Sequence, residues 1–425
     1  MSEGKMSPTG EWLDRAILER KSWGVRLLSR LVAFATESPP ARNTRQAQLA
    51  IAEVLRDLGM EVDQWEVYPG DDNVVGIWRG RRGGGRSLIL NGHVDVAVVG
   101  DEASWSTPPF SLRERDGRFY GRGVADMKGG LAAGLFALYL LREAGFEPGG
   151  EILFQSVIGE EVGEAGTQSC MERGYSADFA VVMDTSQLQI QGQGGVITGW
   201  IEIESPQTYH DGMRARLIHA GGGAFGASAI EKMVKVIAGL QELERDWAVR
   251  KSYPGFPPGS NTINPAVIEG GRHPAFIADR CALWVTVHFY PDESYEDVAR
   301  EVEEHILRVA AADPWLRENP PRFRWGGRSM IEDRGEVFPA LALDEGHPGV
   351  QLLAEQHHTV LGQPSVLSMS RTVTDGGWLG EAGIPAVIYG PGSLAQAHAV
   401  DEWLEVAEWL SYVRVLTRFI ARWTG

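Results

Sequence analysis

Residues 87–95 read SLILNGHVD, an apolar run that ends in a histidine and an aspartate, and this stretch first indicates the fold. Two further apolar runs, EILFQSVI at 151–158 and FAVVM at 179–183, end in a similar way just before Glu160 and Asp184. Continuously apolar runs of this length predict strands that are buried on both faces of a parallel sheet. Ligands bind outside the carboxyl ends of such strands in open α/β sheets. The sequence therefore predicts a functional site along one edge of a parallel sheet.

Five side chains of the kind that bind metal ions are associated with the ends of such runs. Each of them alone is a weak signal, because a lone Asp after a strand is more often a helix cap or a turn residue. Together they could hold two metal ions bridged by Asp126, with two further ligands for each ion and room for water. Such a pair lowers the pKa of the water and stabilises a developing oxyanion. The candidate ligands are His93, Asp126, Glu161, Asp184 and His398.

Two adjacent carboxylates, Glu160 and Glu161, follow the second run. Neighbouring negative charges repel one another unless a cation compensates them. Adjacent side chains also point to different sides, so one could bind a metal while the other acts as general base. The alternative is a solvated acidic loop. Asp95, two residues after His93, could hold the second ring nitrogen of that histidine and set its tautomer.

The chain has 425 residues and a formal net charge of −17, which limit its domain count and its classes of partner. The length predicts two domains. The negative charge argues against nucleic acid and an anionic membrane surface, because both favour positive charge. No signal peptide is visible, and no apolar run approaches the roughly 18 residues that cross a bilayer. Since Cys170 and Cys281 are far apart in sequence, no disulfide framework is expected, and the prediction is a cytoplasmic protein.

The pattern of strands and helices divides the chain into three segments. Residues 1–194 predict alternating strands and helices, the first part of an α/β domain with a mixed, mainly parallel sheet. Residues 195–327 predict the order β-α-β-β-α-β, a ferredoxin-like α+β unit inserted into the larger domain. Within this insertion, Ser294 is expected to cap a helix. The α/β pattern resumes over residues 328–425 and completes the first domain.

Motifs spread over almost the whole chain resemble the M20 metallopeptidase and deacylase family, which includes acetylornithine deacetylase, succinyl-diaminopimelate desuccinylase and carboxypeptidase G. Motifs of this length in this order are specific. The resemblance implies an α/β catalytic domain with two metal ions and an inserted lid domain that also forms a homodimer. The motifs are LNGHVD at 90–95, YGRGVADMKGG at 120–130, GEE at 159–161, VMDT at 182–185, TD at 374–375, GPG at 390–392 and AH at 397–398.

Carried over residue by residue, the resemblance implies two zinc ions in each chain. The first would be held by His93, Asp126 and Asp184. The second would be held by Asp126, Glu161 and His398. Cobalt or manganese would also suit these nitrogen and oxygen ligands.

The resemblance also implies roles for three further side chains. Glu160 would be the general base, working on a hydroxide that bridges the metal ions. Asp95 would support His93 from behind. His219, in the inserted domain, matches a histidine that in many members reaches across the dimer to help hold the oxyanion.

Two positions in the inserted domain depart from the family pattern. Members often place Asn and then Arg there to grip the carboxylate of the substrate, whereas this chain has Ala275 and His288. Neither side chain reproduces the bidentate clamp of an Arg. We therefore expect a substrate without an α-carboxylate, such as an N-acylated or N-formylated amine or heterocycle. Arg371 is either an alternative clamp or part of a structural ion pair.

The predicted function is a dizinc amidohydrolase that acts on a small N-acylated amine or amino acid. Within the enzyme class, the alternative is a metallo-dipeptidase or carboxypeptidase, which Asp184 favours because several peptidase members share it. A different class, a non-catalytic metal-binding homologue, predicts the loss of Glu160 or of a ligand. None of these residues is lost in this chain.

Overall fold

The computed structural model describes residues 10–81 and 84–425, and for His219 it describes the main chain alone. The helices are α1 (Glu11–Val32), α2 (Arg45–Asp57), α3 (Lys128–Glu143), α4 (Gly166–Glu172), α5 (Ala229–Arg250), α6 (Tyr295–Ala311), α7 (Pro348–Leu361), α8 (Gly376–Glu381) and α9 (Val406–Thr424). The strands are β1 (Glu61–Tyr68), β2 (Asp71–Trp78), β3 (Leu88–His93), β4 (Arg113–Arg115), β5 (Arg118–Tyr120), β6 (Ile152–Val157), β7 (Ala180–Val182), β8 (Ile190–Gln193), β9 (Gly195–Glu204), β10 (Tyr209–His210), β11 (Ile263–Gly270), β12 (Phe276–Ile277), β13 (Arg280–Phe289), β14 (Arg322–Trp325), β15 (Arg328–Ser329), β16 (Gly335–Phe338), β17 (Leu367–Ser370), β18 (Ala386–Ile388) and β19 (Trp403–Glu405). None of the described helices is long and apolar enough to cross a membrane.

The chain forms two compact units. The larger unit extends to Gln193 and resumes at Leu341, and the smaller unit comprises Gly194–Ala340. The chain thus returns to the larger unit at Leu341, whereas the sequence pattern predicted this return at residue 328. The physical reason is strand pairing, because β16 joins the sheet of the smaller unit through β9 and pairs with β15.

The larger unit contains an eight-stranded sheet in the order β1-β2-β6-β3-β7-β18-β8-β17. The central strands β6, β3, β7 and β18 are parallel, whereas β2 and β8 run antiparallel to their central neighbours. This arrangement confirms the predicted mixed, mainly parallel sheet. Because β3, β6 and β7 are parallel neighbours, their carboxyl ends meet at one edge of the sheet.

Helices cover both faces of this sheet. The side chains of α1, α2, α3, α7 and α9 form one apolar core, and those of α4 and α8 contribute to a second core on the opposite face. Helix α3 packs closely where β7 ends, since a Cβ atom on Gly130 would lie 1.9 Å from the carbonyl oxygen of Met183. The glycine-rich start of α3 therefore allows the helix to approach the carboxyl edge of the sheet.

The smaller unit contains an antiparallel sheet in the order β11-β13-β9-β16-β15, with β14 also paired to β9. Helices α5 and α6 pack on this sheet. The succession β9-α5-β11-β13-α6-β14 is the predicted ferredoxin-like order, to which two short antiparallel pairings are added, β10 with β12 and β15 with β16. The predicted cap of α6 is confirmed, because Oγ of Ser294 accepts a hydrogen bond of 3.1 Å from the amide of Asp297.

Candidate metal centre and active site

Neighbouring parallel strands bring several of the predicted site residues together. His93 is the last residue of β3, a single turn over Glu160–Val162 follows β6, and Asp184 comes shortly after β7. Strand β3 pairs with β6 on one side and with β7 on the other. The side chains of His93 and Asp184 are buried. The predicted edge of the sheet is thus where these residues meet.

Asp126 lies between the two predicted histidine ligands. Its Oδ1 is 3.2 Å from Nε2 of His93, and its Oδ2 is 3.5 Å from Nε2 of His398. The same nitrogen of His398 is 2.8 Å from Oε2 of Glu161. One carboxylate with an oxygen toward each of two histidines has the arrangement of a ligand that bridges two cations.

The remaining acidic side chains surround His93. Its Nε2 lies 3.9 Å from Oε2 of Glu160 and 3.9 Å from Oδ2 of Asp184. One potential ligand atom from each of His93, Asp126 and Glu161 lies within 4.8 Å of the others. Nε2 of His93 and Oε1 of Glu161 are buried without a hydrogen-bond partner among the described residues. Since buried polar atoms are normally satisfied, these two atoms fit a site that receives a cation.

Asp95 supports the site through its main chain as well as through its carboxylate. Nδ1 of His93 lies 3.0 Å from the main-chain oxygen of Asp95, whereas the nearer carboxylate oxygen is 3.6 Å away. The Asp95 carboxylate instead accepts hydrogen bonds from the amides of Gly159, at 2.9 Å, and Glu161, at 3.1 Å. Asp95 therefore orients His93 mainly through its carbonyl group, and its side chain holds the turn that carries Glu160.

Arg122 and Glu402 support the site, although neither was singled out from the sequence. Nη1 of Arg122 donates to Oε2 of Glu402 at 2.9 Å, and both side chains are buried. Oε1 of Glu402 accepts hydrogen bonds from the amides of Ala125 and Asp126, and Nη2 of Arg122 donates to the carbonyl of His398. The pair therefore holds the main chain of two candidate ligands. The signal in the sequence was the presence of both residues within or beside the quoted motifs.

Residues 89–422 match the sequence profile of Peptidase family M20/M25/M40. This range contains every side chain of the site described above. The chain belongs to this family. It is therefore an M20 hydrolase, an enzyme that cleaves an amide bond.

Two relatives of this M20 hydrolase are similar over nearly their whole length. The chain is 62% identical over 398 residues to the N-formyl-4-amino-5-aminomethyl-2-methylpyrimidine deformylase of Halalkalibacterium halodurans, covering 93% of each chain. It is 57% identical over 412 residues to the deformylase of the same name from Bacillus subtilis, covering 97% of each chain.

Solved structures of M20 proteins share the fold. An M20 family metallo-carboxypeptidase from Sulfolobus solfataricus has a TM-score of 0.74 at 16% identity, covering 94% of this chain and 99% of its own. A dinuclear metal-binding M20 peptidase from Bacillus subtilis has a TM-score of 0.67 at 15% identity, covering 95% of this chain and 98% of its own. At these identities the likeness concerns the fold alone.

The electrostatics of the M20 site show how crowded its acidic groups are. Burial, reinforced by neighbouring carboxylates, raises the pKa of Glu160 well above its usual range. Burial likewise raises the pKa of Glu161 to about 7 and that of Asp184 to about 6. Burial also opposes charge on His93, but Asp126 and Asp95 outweigh it and raise the pKa of the imidazole well above its usual value. A divalent cation among these groups would favour the ionised carboxylates instead.

The predicted residues outside this cluster lie elsewhere in the fold. His219 is in a single turn, Ile218–Ala220, of the smaller unit, and its side chain lies outside the described part of the chain. His288 is half-buried on β13 of the same unit, and Ala275 lies in the turn before β12. Arg371 is exposed just after β17. Among the described side chains, the metal-type cluster is therefore confined to the larger unit.

Proposed function

We propose that this M20 hydrolase is a deformylase that releases formate from an N-formylated aminomethylpyrimidine. The observation that carries the proposal is the 62% and 57% identity to two deformylases of N-formyl-4-amino-5-aminomethyl-2-methylpyrimidine, over 93% and 97% of this chain. The bond that breaks is the C–N bond of the formamide, so the products are formate and a primary amine.

The departures from the family pattern support a substrate of this kind. Ala275 and His288 replace the Asn and Arg that would grip an α-carboxylate. Ala has no hydrogen-bonding side chain, and His cannot form the bidentate contact that an Arg makes with a carboxylate. A formamide on a neutral heterocycle does not require that contact, whereas an N-acyl amino acid does.

We further propose two zinc ions, one held by His93, Asp126 and Asp184, and the other by Asp126, Glu161 and His398. The support is the position of Asp126 between the two histidines, together with one atom each on His93 and Glu161 that has no hydrogen-bond partner among the described residues. Two imidazoles and three carboxylates suit zinc, and also cobalt and manganese. Such ions, when bound, polarise the carbonyl group and lower the pKa of water.

Glu160 is the proposed proton carrier. Its side chain is largely buried, and its Oε2 lies 3.9 Å from Nε2 of His93, so Glu160 stands beside the proposed ions without being one of their ligands. It accepts a proton from the attacking water and delivers it to the amine nitrogen as the C–N bond breaks. The hydrogen bonds from Gly159 and Glu161 to Asp95 fix the turn on which Glu160 stands.

We propose that two chains associate through the smaller unit and that His219 of one chain acts at the site of the other. Strand β11 is at the edge of its sheet and exposes Val267 and Ile268. Ile230 of α5 is also exposed, and it lies beside Gly270 at the end of β11. An exposed apolar edge strand is a surface that another strand can pair with, and a second copy would cover it.

We also propose that the enzyme works in the cytoplasm. Its two cysteines, Cys170 and Cys281, are both buried and unpaired. Free thiols of this kind are typical of a reducing compartment, where disulfides are rare.

The proposed function is tested by an assay for released formate and released primary amine. The zinc-loaded protein is incubated with the N-formyl and the N-acetyl derivatives of 4-amino-5-aminomethyl-2-methylpyrimidine, with N-acetylornithine and with a dipeptide. We expect the N-formyl pyrimidine to be turned over fastest. Faster cleavage of N-acetylornithine or the dipeptide would overturn the proposal in favour of an amino-acid deacylase or a peptidase.

A further inference from the structure

A layer of polar side chains lies under His93 inside an otherwise apolar core. Alternate residues of a strand point to the same face, so Ile89, Asn91 and His93 of β3 share one face of the sheet. Ile89 belongs to the second apolar core, whereas Asn91 is a buried amide. Nδ2 of Asn91 donates to Oε1 of Gln155 on β6 at 3.0 Å and to Oγ1 of Thr167 on α4 at 2.9 Å. The buried residues below the metal-type cluster are therefore polar and linked by hydrogen bonds, unlike the apolar residues of the surrounding core.

Asp375 also belongs to this layer. Packing alone does not explain why a carboxylate is buried at its position. Asp375 is 2% exposed, and its carboxylate lies beside the hydroxyl of Thr167, which also bonds to Asn91. A Cβ atom on the next residue, Gly376, would lie 3.5 Å from Cγ2 of Val182, the last residue of β7. Oδ1 of Asn91 and Nε2 of Gln155 are buried and have no hydrogen-bond partner within the described part of the chain. Burying a carboxylate with so few partners is costly, so a side chain placed in this way normally has a function.

The charge of Asp375 influences the pKa values of groups in the candidate active site. The carboxylate contributes to the high pKa of Glu160, after burial and the nearer carboxylates Glu161 and Asp184. In turn, burial raises the pKa of Asp375 itself to about 7, while His93 acts to lower it. Asp375 is thus coupled electrostatically to the metal-type cluster without being part of it.

Gln193 holds the segment that carries Asp375. Its Oε1 accepts hydrogen bonds from the amide of Thr374 at 2.9 Å and from Oγ1 of Thr374 at 2.7 Å. Its Nε2 donates to the carbonyl of Thr374 at 3.0 Å. Gln193 is fully buried and is the last residue before the chain leaves the larger unit, where it exchanges two main-chain hydrogen bonds with Leu341. The place where the chain leaves and re-enters this unit is therefore tied to Thr374 and Asp375.

We propose that Asp375 is a positioning residue of the active site, whose buried carboxylate favours cations on His93 and Asp184 from behind, and that Gln193 fixes it there through Thr374. The added negative charge strengthens the binding of divalent ions without occupying a ligand position. The inference rests on the proposed function, because it assumes that His93 and Asp184 hold a metal ion.

The test is the variant Asp375→Asn, which keeps the shape of the side chain and removes its charge. Loss of a group that supports metal ligands from behind typically costs 10- to 100-fold in metal affinity or activity. We expect the zinc affinity, measured by competition with a chelator, to fall by roughly 10-fold, and kcat to fall more than KM rises. The absorption spectrum of the cobalt-loaded protein is expected to change. Unchanged zinc affinity together with an unchanged cobalt spectrum would overturn the proposal.

The role of Gln193 is tested by Gln193→Met, which keeps the volume and removes all three hydrogen bonds to Thr374. We expect it to reproduce the metal affinity and cobalt spectrum of Asp375→Asn, with little further effect when both changes are combined. The matched control is Gln191→Met on the same strand, because Gln191 donates to Ser368 and Gln189 instead. A loss of melting temperature in Gln193→Met without a change in metal affinity would reduce Gln193 to a structural role and contradict this part of the proposal.

A third variant covers the case in which Gln193→Met does not fold. Thr374→Val removes only the hydroxyl that bonds to Gln193, and Thr374→Ser retains it. We expect the Val variant to bind zinc more weakly and the Ser variant to match the wild type, and equal affinity in both would contradict the role of this contact. Metal affinity is measured without substrate, so failure of the wild type to release formate would affect only the proposed function.

Discussion

Nη1 of Arg122 lies 2.9 Å from Oε2 of Glu402, and both side chains are buried. The pair links a glycine-rich motif that precedes α3 to the loop that follows His398. Glu402 binds the amides of Ala125 and Asp126, and Arg122 binds the carbonyl of His398. His398 has a left-handed main chain with φ of 60°, a conformation that non-glycine residues seldom adopt unless their surroundings impose it. The ion pair thus holds two candidate ligands at once.

Glu402→Gln is expected to destabilise the fold and weaken metal binding together. The change leaves the guanidinium of Arg122 buried beside a neutral group, and breaking a buried pair in this way typically costs about 3–5 kcal/mol. Urea unfolding and zinc affinity measure the two effects. Glu405→Gln is the matched control, because Glu405 pairs with Arg118 at the surface and such pairs contribute about 0–1 kcal/mol. Equal stability of the two variants would contradict this role.

Glu160→Gln is expected to lower kcat by roughly 100- to 10,000-fold while metal content stays at the wild-type level. The amide cannot accept a proton from water, although it has almost the same shape as the carboxyl. The comparison is Glu161→Gln, which we expect to lose metal affinity because Glu161 faces His398. Metal analysis of both proteins, with kcat for formate release, distinguishes a proton carrier from a ligand. A near-native rate in Glu160→Gln would exclude it as the base.

Removal of metal by a chelator is expected to abolish activity and lower the melting temperature. Zinc added back at about 100 times its Kd should stabilise the fold by about 2.7 kcal/mol. Differential scanning fluorimetry across a zinc titration measures this shift. Asp126→Asn is the control, and we expect it to lose most of the zinc-dependent shift because Asp126 faces both histidines. Full activity in protein shown by elemental analysis to be free of metal would contradict the proposed centre.

Asp313→Asn is expected to destabilise the smaller unit at pH 7 and to have less effect at pH 3. Burial opposes charge on this side chain, but Lys232 and Lys235 hold the pKa of its carboxyl well below the usual range. The unfolded chain takes up a proton below about pH 4, before the native carboxylate does, so the stability from this group is lost as the pH falls. At pH 7 the variant leaves the ammonium of Lys232 buried without its partner, which typically costs about 3–5 kcal/mol.

Urea unfolding at the two pH values measures the difference between Asp313→Asn and the wild type. Asp297→Asn is the control, because Asp297 is exposed and its pKa is lowered mainly by the helix cap Ser294. It is expected to change stability little at either pH. A destabilisation by Asp313→Asn that is as large at pH 3 as at pH 7 would contradict the linkage.

His219→Ala is expected to lower kcat by roughly 100- to 1,000-fold if His219 of one chain stabilises the oxyanion at the site of another. Ile268→Asp places a charge on the exposed edge strand β11 and should convert a dimer to a monomer with a similar loss of kcat. Light scattering and kcat are measured on both variants. Glu269→Gln on the same strand is the control, since it adds no charge. A wild-type monomer at micromolar concentration would remove the role of His219 in a partner chain.

The sequence by itself determined the parallel centre of the sheet and the set of candidate ligands. Both follow from local information, because a short apolar run specifies a strand buried on both faces, and the polar residue that ends it lies at the edge. The family motifs extended this to Asp126 and His398. The structure brings these residues together, with Asp126 between His93 and His398.

Tertiary structure alone decided how the site is supported. Arg122 and Glu402 are 280 residues apart in the chain, and Gln193 and Thr374 are 181 apart, so no local pattern reveals their contacts. For Asp95 the sequence predicted a carboxylate beside His93, whereas the structure adds a closer contact from its carbonyl group and binds its carboxylate to the amides of Gly159 and Glu161. Which group of a side chain or main chain makes a contact depends on the packing of elements that are distant in sequence. Local sequence therefore determines which residues are candidate ligands, whereas the whole fold determines where these ligands lie.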